Sequence, residues 1–359
     1  MVYSRRHFGK FAASALPAAF LLSRGKAWAQ TEESLPKPDS VFAGVQIGAI
    51  SYCFRTMPAA EIIPAMTKIG LSEVELMSNH AEALAGAPIP ERPSRRGARP
   101  RQQKPPRPIP WYTGHFCNGT EETGAQHRQF HPTPEQQAAQ AKAQEAITSW
   151  RASSDVMEKL RGVKKQFDDA GINLRLLCYN MGPKISDAEI DYAFRMAQTL
   201  GVKAISSSST VSVARRVAPI ADKYKIVWGG HGHDNICDPE QFAKPETFEK
   251  ILSFSPYIGV NLDIGHFTAA GYNSVEFIER YHDRITNLHL KDRTLNPQGG
   301  GRGANLPFGD GDTPIIPVLH LMRRHKYPFP ANIEYEYQGT DPVVEVAKCL
   351  QYCKDALLS

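Results

Sequence analysis

Short apolar runs rich in Val, Ile and Leu alternate along this chain with longer stretches whose apolar residues recur every three to four positions. The runs at 45–50, 73–76, 172–178, 203–207, 225–229, 258–263, 285–290 and 331–335 read as strands, and they are too uniformly apolar to keep one face in water. The stretches at 58–69, 153–170, 186–200, 211–223, 244–253, 273–282, 313–325 and 341–357 carry the helical period. Ser186 and Asp187 mark a helix start, and Gly201 marks its stop. Eight strands alternating with eight helices predict an α/β fold, a (β/α)8 TIM barrel closed by one parallel sheet.

One segment breaks the alternation. An insertion at about 79–152 follows the second strand, which puts it on the face where the loops after the strands converge. Its first part, Pro88 to Pro110, holds eight prolines and seven basic residues against a single acid, Glu91, and cannot bury a core. Trp111, Tyr112, His115 and Phe116 follow, and then a polar helical stretch from Pro134 to Ile147. The insertion reads either as a lid over a ligand or as a surface loop. Its basic residues have no interleaved aromatics, so no nucleic-acid partner is expected.

The N-terminus changes the charge picture. Ser4-Arg5-Arg6-His7-Phe8 is a twin-arginine pattern, followed by an apolar run from Phe11 to Leu22 and by Ala27-Trp28-Ala29 before Gln30. Residues 1–29 therefore read as a signal peptide for export to the periplasm, too short in its apolar part to span a bilayer. It carries Arg5, Arg6, Lys10, Arg24 and Lys26 with no acid, which is all of the formal +5. The mature 330 residues are near neutral, which removes the case for a general polyanion binder and leaves no stable membrane anchor after processing. At 42% apolar, that length suits one large domain, residues 43–358, interrupted by the insertion. The cysteines (Cys53, Cys117, Cys178, Cys237, Cys349 and Cys353) match neither a zinc ribbon nor a Cys-x-x-Cys pair, and read as buried small apolar residues.

Chemistry concentrates at strand ends. Gly229-Gly230-His231-Gly232-His233-Asp234-Asn235, Asn261-Leu262-Asp263-Ile264-Gly265-His266, Leu288-His289-Leu290-Lys291-Asp292 and Ile333-Glu334-Tyr335-Glu336 follow or close the last four strands. A parallel barrel brings such ends to one mouth, so His231, Asp263, His289 and Glu334 can meet there. Mixed imidazole and carboxylate donors suit Mn, Zn, Co or Fe better than Ca or Mg. A lone strand-end histidine is usually structural; four such groups on consecutive strands point to one divalent metal ion. Two assignments stay open: His231 or His233 on the metal, and Glu334 or Glu336, which share a face of an extended strand. Asp312 or Thr313 reads as a helix cap. The run Gly299-Gly300-Gly301-Arg302-Gly303 does not sit in a βαβ unit as a dinucleotide fingerprint must. Ser206 to Ser209 read as a polar loop or as sugar contacts.

The last three runs resemble those of the sugar phosphate isomerase/epimerase family, the xylose-isomerase-like barrels, and the chain is most similar to that family's twin-arginine-exported branch. The resemblance implies Asp263, His289 and Glu334 as metal ligands, His266 facing substrate, and Lys291 and Arg293 pairing with its oxygens or supporting the loop. It also implies Glu75 as an acid near the mouth; read on its own residues, Glu75 is equally a solvated turn residue. Many epimerases of the family place a glutamate at the fifth strand, where this chain has His231-Gly232-His233. His231 then takes the fourth ligand position, with His233 and Asn235 beside it, and a scheme needing two metal-bound carboxylates is put in question.

These residues predict an enediolate chemistry: metal-polarised abstraction of the proton beside a carbonyl, moved by Glu334, Glu336, His233 or His266. The first expectation is an isomerase or epimerase of an unphosphorylated small-molecule carbohydrate, in a chain able to form homo-oligomers. The second is an eliminase or hydrolase of 3-keto-glycosides using the same site. A non-catalytic sugar-binding barrel and an endonuclease are the further readings, the last opposed by export.

Overall fold

The computed structural model describes residues 37–89, 133–295 and 303–359. The twin-arginine segment, the Pro/Arg-rich stretch beyond Ile89, the aromatic group from Trp111 to Phe116, Cys117 and the run from Gly299 to Arg302 lie outside the described residues.

Eight parallel strands close on themselves: β1 Val45–Ile50, β2 Glu73–Met77, β3 Asn173–Cys178, β4 Ala204–Ser207, β5 Val227–His231, β6 Ile258–Asp263, β7 Ile285–Leu290 and β8 Ala331–Ile333. Each pairs with its sequence neighbour, and β8 closes the ring on β1 through Ala331 opposite Ile47. The predicted TIM barrel is thus the observed fold. Fully buried Trp228, Phe54, Phe167, Phe194, Phe242 and Phe248 belong to its apolar core, as expected when a parallel sheet is covered by helices.

Helices α1 Ile62–Ile69, α2 Ser78–Leu84, α3 Pro134–Ala152, α4 Val156–Asp169, α5 Asp187–Leu200, α6 Val211–Tyr224, α7 Pro245–Leu252, α8 Ile264–Ala269, α9 Ser274–Tyr281, α10 Ile315–His325 and α11 Pro342–Leu358 follow the strands. Ser186 caps α5 by accepting from the Glu189 N–H, and Gly201 ends it in the left-handed region, both as predicted. Among the described residues, no helix is long and apolar enough to cross a membrane.

Four local expectations are corrected. The fifth strand was expected to end at Gly229, yet it runs to His231. Gly230 pairs with Val260 there, at a position where a Cβ would press to 2.9 Å on Ile251 and 3.0 Å on Phe242. The eighth strand ends at Ile333, two residues early, so the strand pleat does not set the relation of Glu334 to Glu336; the Glu334 N–H still bonds Leu290 O at 2.9 Å. Helices α2 and α8 were not expected, being too short to show a period. Asp312 and Thr313 do not cap α10, whose N-cap position is Pro314. Instead Asp312 accepts from the Leu295 N–H, and Thr313 Oγ1 from the Arg293 N–H.

The described part of the insertion is α2 and α3. A Thr133–Gln136 capping box starts α3, and Arg151 near its end is fixed to the barrel. Its guanidinium grips Glu82 of α2 through Nε at 2.7 Å and a second nitrogen at 3.1 Å, bonds Glu189 at 2.9 Å, and lies over the rings of Tyr179 and Tyr192. Bidentate pairing to a carboxylate that is 2% exposed anchors this helix beside the end of β3.

Of the cysteines, Cys53, Cys178, Cys349 and Cys353 are free and buried, as expected. Cys237 departs from that reading: it is exposed and disulfide-bonded.

Glu73, at the start of β2, is 1% exposed, with Arg175 3.8 Å away. Burial, with Glu75 adding repulsion, raises its pKa from 4.5 to about 8. The folded chain therefore holds a proton that the unfolded chain gives up above its ordinary range, so this group's stabilisation is present at low pH and lost as pH rises toward 8. Chemical denaturation at about pH 5 and about pH 8.5 should show the wild type losing on the order of a few kcal/mol that Glu73→Gln retains. Parallel losses in both proteins would contradict the assignment.

Candidate metal centre

At the C-terminal ends of β5 to β8, one potential ligand atom each from His231, Asp263, His289 and Glu334 lies within 4.8 Å of all the others, and all four residues are buried. Asp263 is held by the turn it starts. As N-cap of α8 it accepts the His266 N–H on Oδ1 at 2.8 Å, leaving Oδ2 aimed at the cluster. The turn is tight enough that a Cβ on Gly265 would collide with the Lys291 backbone, which only glycine avoids. His289 is gripped on both ring nitrogens, Nδ1 by Glu334 Oε2 at 2.9 Å and Nε2 by Glu75 Oε2 at 2.8 Å.

Lys291, 2% exposed, stands among three carboxylates: Asp263 at 3.1 Å, Glu334 at 3.0 Å and Glu336 at 2.7 Å. It also lies 3.2 Å from His266 Nε2, while His266 Nδ1 is 3.1 Å from Asp234. Arg293 donates to Asp234 at 3.0 Å, to His266 and to the Gly303 carbonyl. Asp292 faces the other way: its carboxylate accepts the N–H groups of Gly309, Gly311 and Thr313 and so fixes the loop after β7.

Charge states follow from burial and neighbours. Burial, then the adjacent positive His289, takes His231 down to about 4; burial, then His231, takes His233 to about 4. Burial, then Lys291, holds His266 well below its ordinary value. Burial would lower His289 as well, but Glu75 and Glu334 outweigh it and raise it. Burial would raise Glu334, and Lys291 and His289 instead hold it well below the carboxylate range. Burial opposes the charge of Lys291, yet its three carboxylates hold the ammonium on.

The donor set fits a divalent metal. His231 is a neutral imidazole whose Nδ1 has no hydrogen-bond partner, and Asp263 Oδ2 accepts no hydrogen bond although Lys291 is near. Four acids, Asp234, Asp263, Glu334 and Glu336, face Lys291 and Arg293, and a fifth, Glu75, shares the positive His289 with Glu334. This excess of buried negative charge is what a bound cation relieves. Two imidazoles with two carboxylates are the ligation of a first-row transition ion.

A profile of the xylose isomerase-like TIM barrel family matches residues 121–353. The chain belongs to the xylose isomerase-like TIM barrel family. Among curated relatives it is similar to a putative L-ribulose-5-phosphate 3-epimerase, SgbU, of Escherichia coli strain K12, 25% identical over 112 residues, 31% of this chain and 39% of that one. It is also similar to an inosose dehydratase of Clostridium botulinum strain Eklund 17B, 28% identical over 128 residues, 31% and 42% of the two chains. It thus spans about two fifths of the relatives it matches. Solved structures cover far more of it. The probable 3-DHS dehydratase AsbF of Bacillus anthracis is 11% identical with TM-score 0.53, over 86% of this chain and 99% of that one. The 3-keto-D-glucoside 4-epimerase YcjR of E. coli is 10% identical with TM-score 0.53, over 87% and 99%. A zinc-bound IolI protein is 13% identical with TM-score 0.53, over 88% and 98%. At these identities the likeness is one of fold.

A cavity of about 210 Å³ opens beside the cluster, lined on its polar side by His231, His233, His266, His289, Lys291, Glu334 and Glu336 and on its apolar side by Ile50, Tyr52, Met77 and Cys178. Of the sequence-predicted residues, His231 rather than His233 joins the ligand group, its ring 4.9 Å from that of His233. Glu75 is neither a solvated turn residue nor at the mouth; the pleat of β2 turns it into the barrel interior beneath His289, fully buried. Arg293 and Asn235 do not line the cavity: Arg293 is spent on Asp234, His266 and Gly303, and exposed Asn235 accepts from the Cys237 N–H. Asn261, Asn287 and Asn332 went unrecognised. Each sits two residues before a ligand, on the same face of its strand, and that period-two spacing was the signal.

Replacing a ligand should cost more than the ~10–100-fold in affinity typical of outer partners. Purified Asp263→Ala and His289→Ala proteins, analysed for elemental metal beside wild type, should lose near-stoichiometric Mn, Zn, Co or Fe. Retention of wild-type metal by both folded variants would rule the cluster out.

Proposed function

We propose that this protein is an exported, divalent-metal-dependent enzyme that transforms an unphosphorylated sugar or sugar derivative through an enediolate, by isomerisation or epimerisation. The observation that carries the reading is the convergence of His231, Asp263, His289 and Glu334 beside a cavity containing unspent acid/base groups. Family members named as epimerases and dehydratases of small polyols and sugars support it. The cavity volume, below the ~300–1,000 Å³ common for drug-sized ligands, suits a single sugar ring.

A divalent ion in this group supplies Lewis-acid polarisation of the substrate carbonyl. The chain's own residues then divide the work. Lys291 holds Asp263, Glu334 and Glu336 in place and keeps a positive charge beside the developing oxyanion. His266, engaged at both nitrogens, orients rather than transfers. Glu334 is committed to His289 and Lys291. That leaves Glu336, which is 23% exposed and shares Lys291 with the other two carboxylates, and neutral His233, whose Nδ1 has no hydrogen-bond partner, as the groups placed to move a proton. Either can take the proton beside the carbonyl; its return to the opposite face epimerises, and its delivery to the adjacent carbon isomerises.

One observation favours a second outcome. The fifth strand presents the imidazole of His231 where a symmetric two-base scheme needs a carboxylate, and the remaining pair, Glu336 and His233, is chemically unlike. A single carboxylate beside a neutral imidazole suits elimination from a 3-keto-glycoside: the carboxylate takes the C–H proton, the carbon–carbon double bond forms as the β-C–O bond breaks, and the resulting carboxylic acid returns that proton to the departing alkoxide, with the imidazole as hydrogen-bond partner.

Export is supported by the twin-arginine pattern and by the disulfide at Cys237, since such bonds persist in oxidising compartments. In cells, the mature protein should begin at Gln30 in the periplasmic fraction, and an Arg5→Lys, Arg6→Lys chain should stay unprocessed in the cytoplasm. Equal export of both would refute that route.

Metal-loaded protein incubated in D2O with ketoses and 3-keto-glycosides, followed by proton NMR, should incorporate one solvent deuterium per turnover. A retained sugar skeleton marks isomerisation or epimerisation, and release of water or the aglycone marks elimination. His233→Gln and Glu336→Gln should each slow exchange by ~10²–10⁴-fold while keeping metal. No exchange across the panel would make the protein a sugar-binding barrel.

A further inference from the structure

The interior of this barrel is not packed as barrel interiors usually are. The inward side chains of β2, β4, β6 and β8 include Glu75, Ser206, Asn261 and Asn332, all fully buried, where four branched apolar residues from alternate strands are the common filling. They converge on one carboxylate. Glu75 Oε2 accepts from Asn287 Nδ2 at 2.7 Å, His289 Nε2 at 2.8 Å and Asn332 Nδ2 at 3.0 Å; Oε1 accepts from Ser206 Oγ and from Asn261 Nδ2 at 3.4 Å.

A carboxyl surrounded only by donors has no use for a proton of its own, so this geometry specifies the anion. Burying an anion costs several kcal/mol before its partners compensate, and apolar residues would have filled the space more cheaply if packing were its only purpose. The donors show the purpose. Asn261, Asn287 and Asn332 stand two residues before Asp263, His289 and Glu334, so one carboxylate ties together the three strands that deliver those ligands. The fifth donor is a ligand candidate itself.

We propose that Glu75 is a positioning residue of the metal centre: it takes the Nε2–H of His289 from beneath, so that Nδ1 is the nitrogen presented to the ion, and it sets the relative height of β6, β7 and β8. This rests on the metal reading above. A carboxylate behind a ligating imidazole fixes its tautomer and strengthens it as a donor. The sequence resemblance had put Glu75 near the mouth; the structure puts it behind His289, outside the cavity lining.

The test uses Glu75→Gln in the full mature protein, titrated with Zn2+ and Co2+ against a competing chelator, with melting of the metal-free protein as the folding control. Gln keeps the shape and can still accept from the Oε2 side, but withdraws the charge. The expected result is a native melt, a Kd weakened by ~10–100-fold for both ions, and an altered visible absorption spectrum of bound Co2+, which a merely structural change would leave unmoved. A Kd within about twofold of wild type with the same Co2+ spectrum would overturn the proposal. Should the variant not fold, nitrogen-15 NMR of the zinc-loaded wild type decides. A His289 ring protonated on Nε2 supports the assignment, and one protonated on Nδ1 refutes it. If wild type binds neither ion, the metal reading fails first and this proposal with it, an outcome distinguishable from a wild type that binds and a variant that binds equally well.

Discussion

The mouth of this barrel is governed by an excess of buried negative charge. Asp263, Glu334 and Glu336 gather around the single ammonium of Lys291, with Asp234 and Glu75 close behind, and little water is left to screen them. A folded chain tolerates such an arrangement only if each carboxylate is hydrogen-bonded or paired, and most of the local architecture serves that requirement. Asp263 caps a helix, Asp234 is held by Arg293, and Glu75 is saturated by five donors. Among the buried atoms left without a hydrogen bond are His231 Nδ1 and Asp263 Oδ2, both of residues in the ligand group.

The scaffold explains why that place is so sharply defined. Strand ends position side chains better than loops do, and three of the four ligand candidates lie on β5, β6 and β7 themselves, with Glu334 one residue past β8. Beneath them the asparagine and glutamate layer locks the registers from which they project. Around the rim, Asp292 fixes the loop after β7, and Arg151 pins the described end of the insertion to the barrel. The cavity is thus an apolar wall opposed by a rigid polar wall, on which Glu336 is tied to Lys291 and His233 keeps an unpartnered Nδ1.

Much of this was legible in the sequence. Continuous apolar runs specify a parallel sheet because both faces of each strand are covered, and eight of them with intervening helical periods specify closure. The strand-end runs were legible because metal chemistry needs residue types that a core does not. The remainder was hidden for physical reasons. The Gly229-Gly230 pair reads as a strand end, but here Gly230 lets Ile251 of α7 and Phe242 before it press against β5, and the strand carries on to His231. The six-residue α8 leaves no period to detect, being specified by one cap and one close approach at Gly265. Glu75 was misplaced because an acid in a short strand that begins with another acid, Glu73, looks like a surface residue until the polar residues of the other strands are seen to face it.

The account stands on the claim that one divalent ion is held by His231, Asp263, His289 and Glu334. Diffraction from crystals of the mature protein, purified without chelators and measured on both sides of the absorption edge of the metal it carries, tests that claim most directly. The account predicts a single anomalous peak within bonding distance of those four side chains. An absence of any peak in a protein given Zn2+ or Mn2+, or a peak held by His233 and His266 instead, would contradict it.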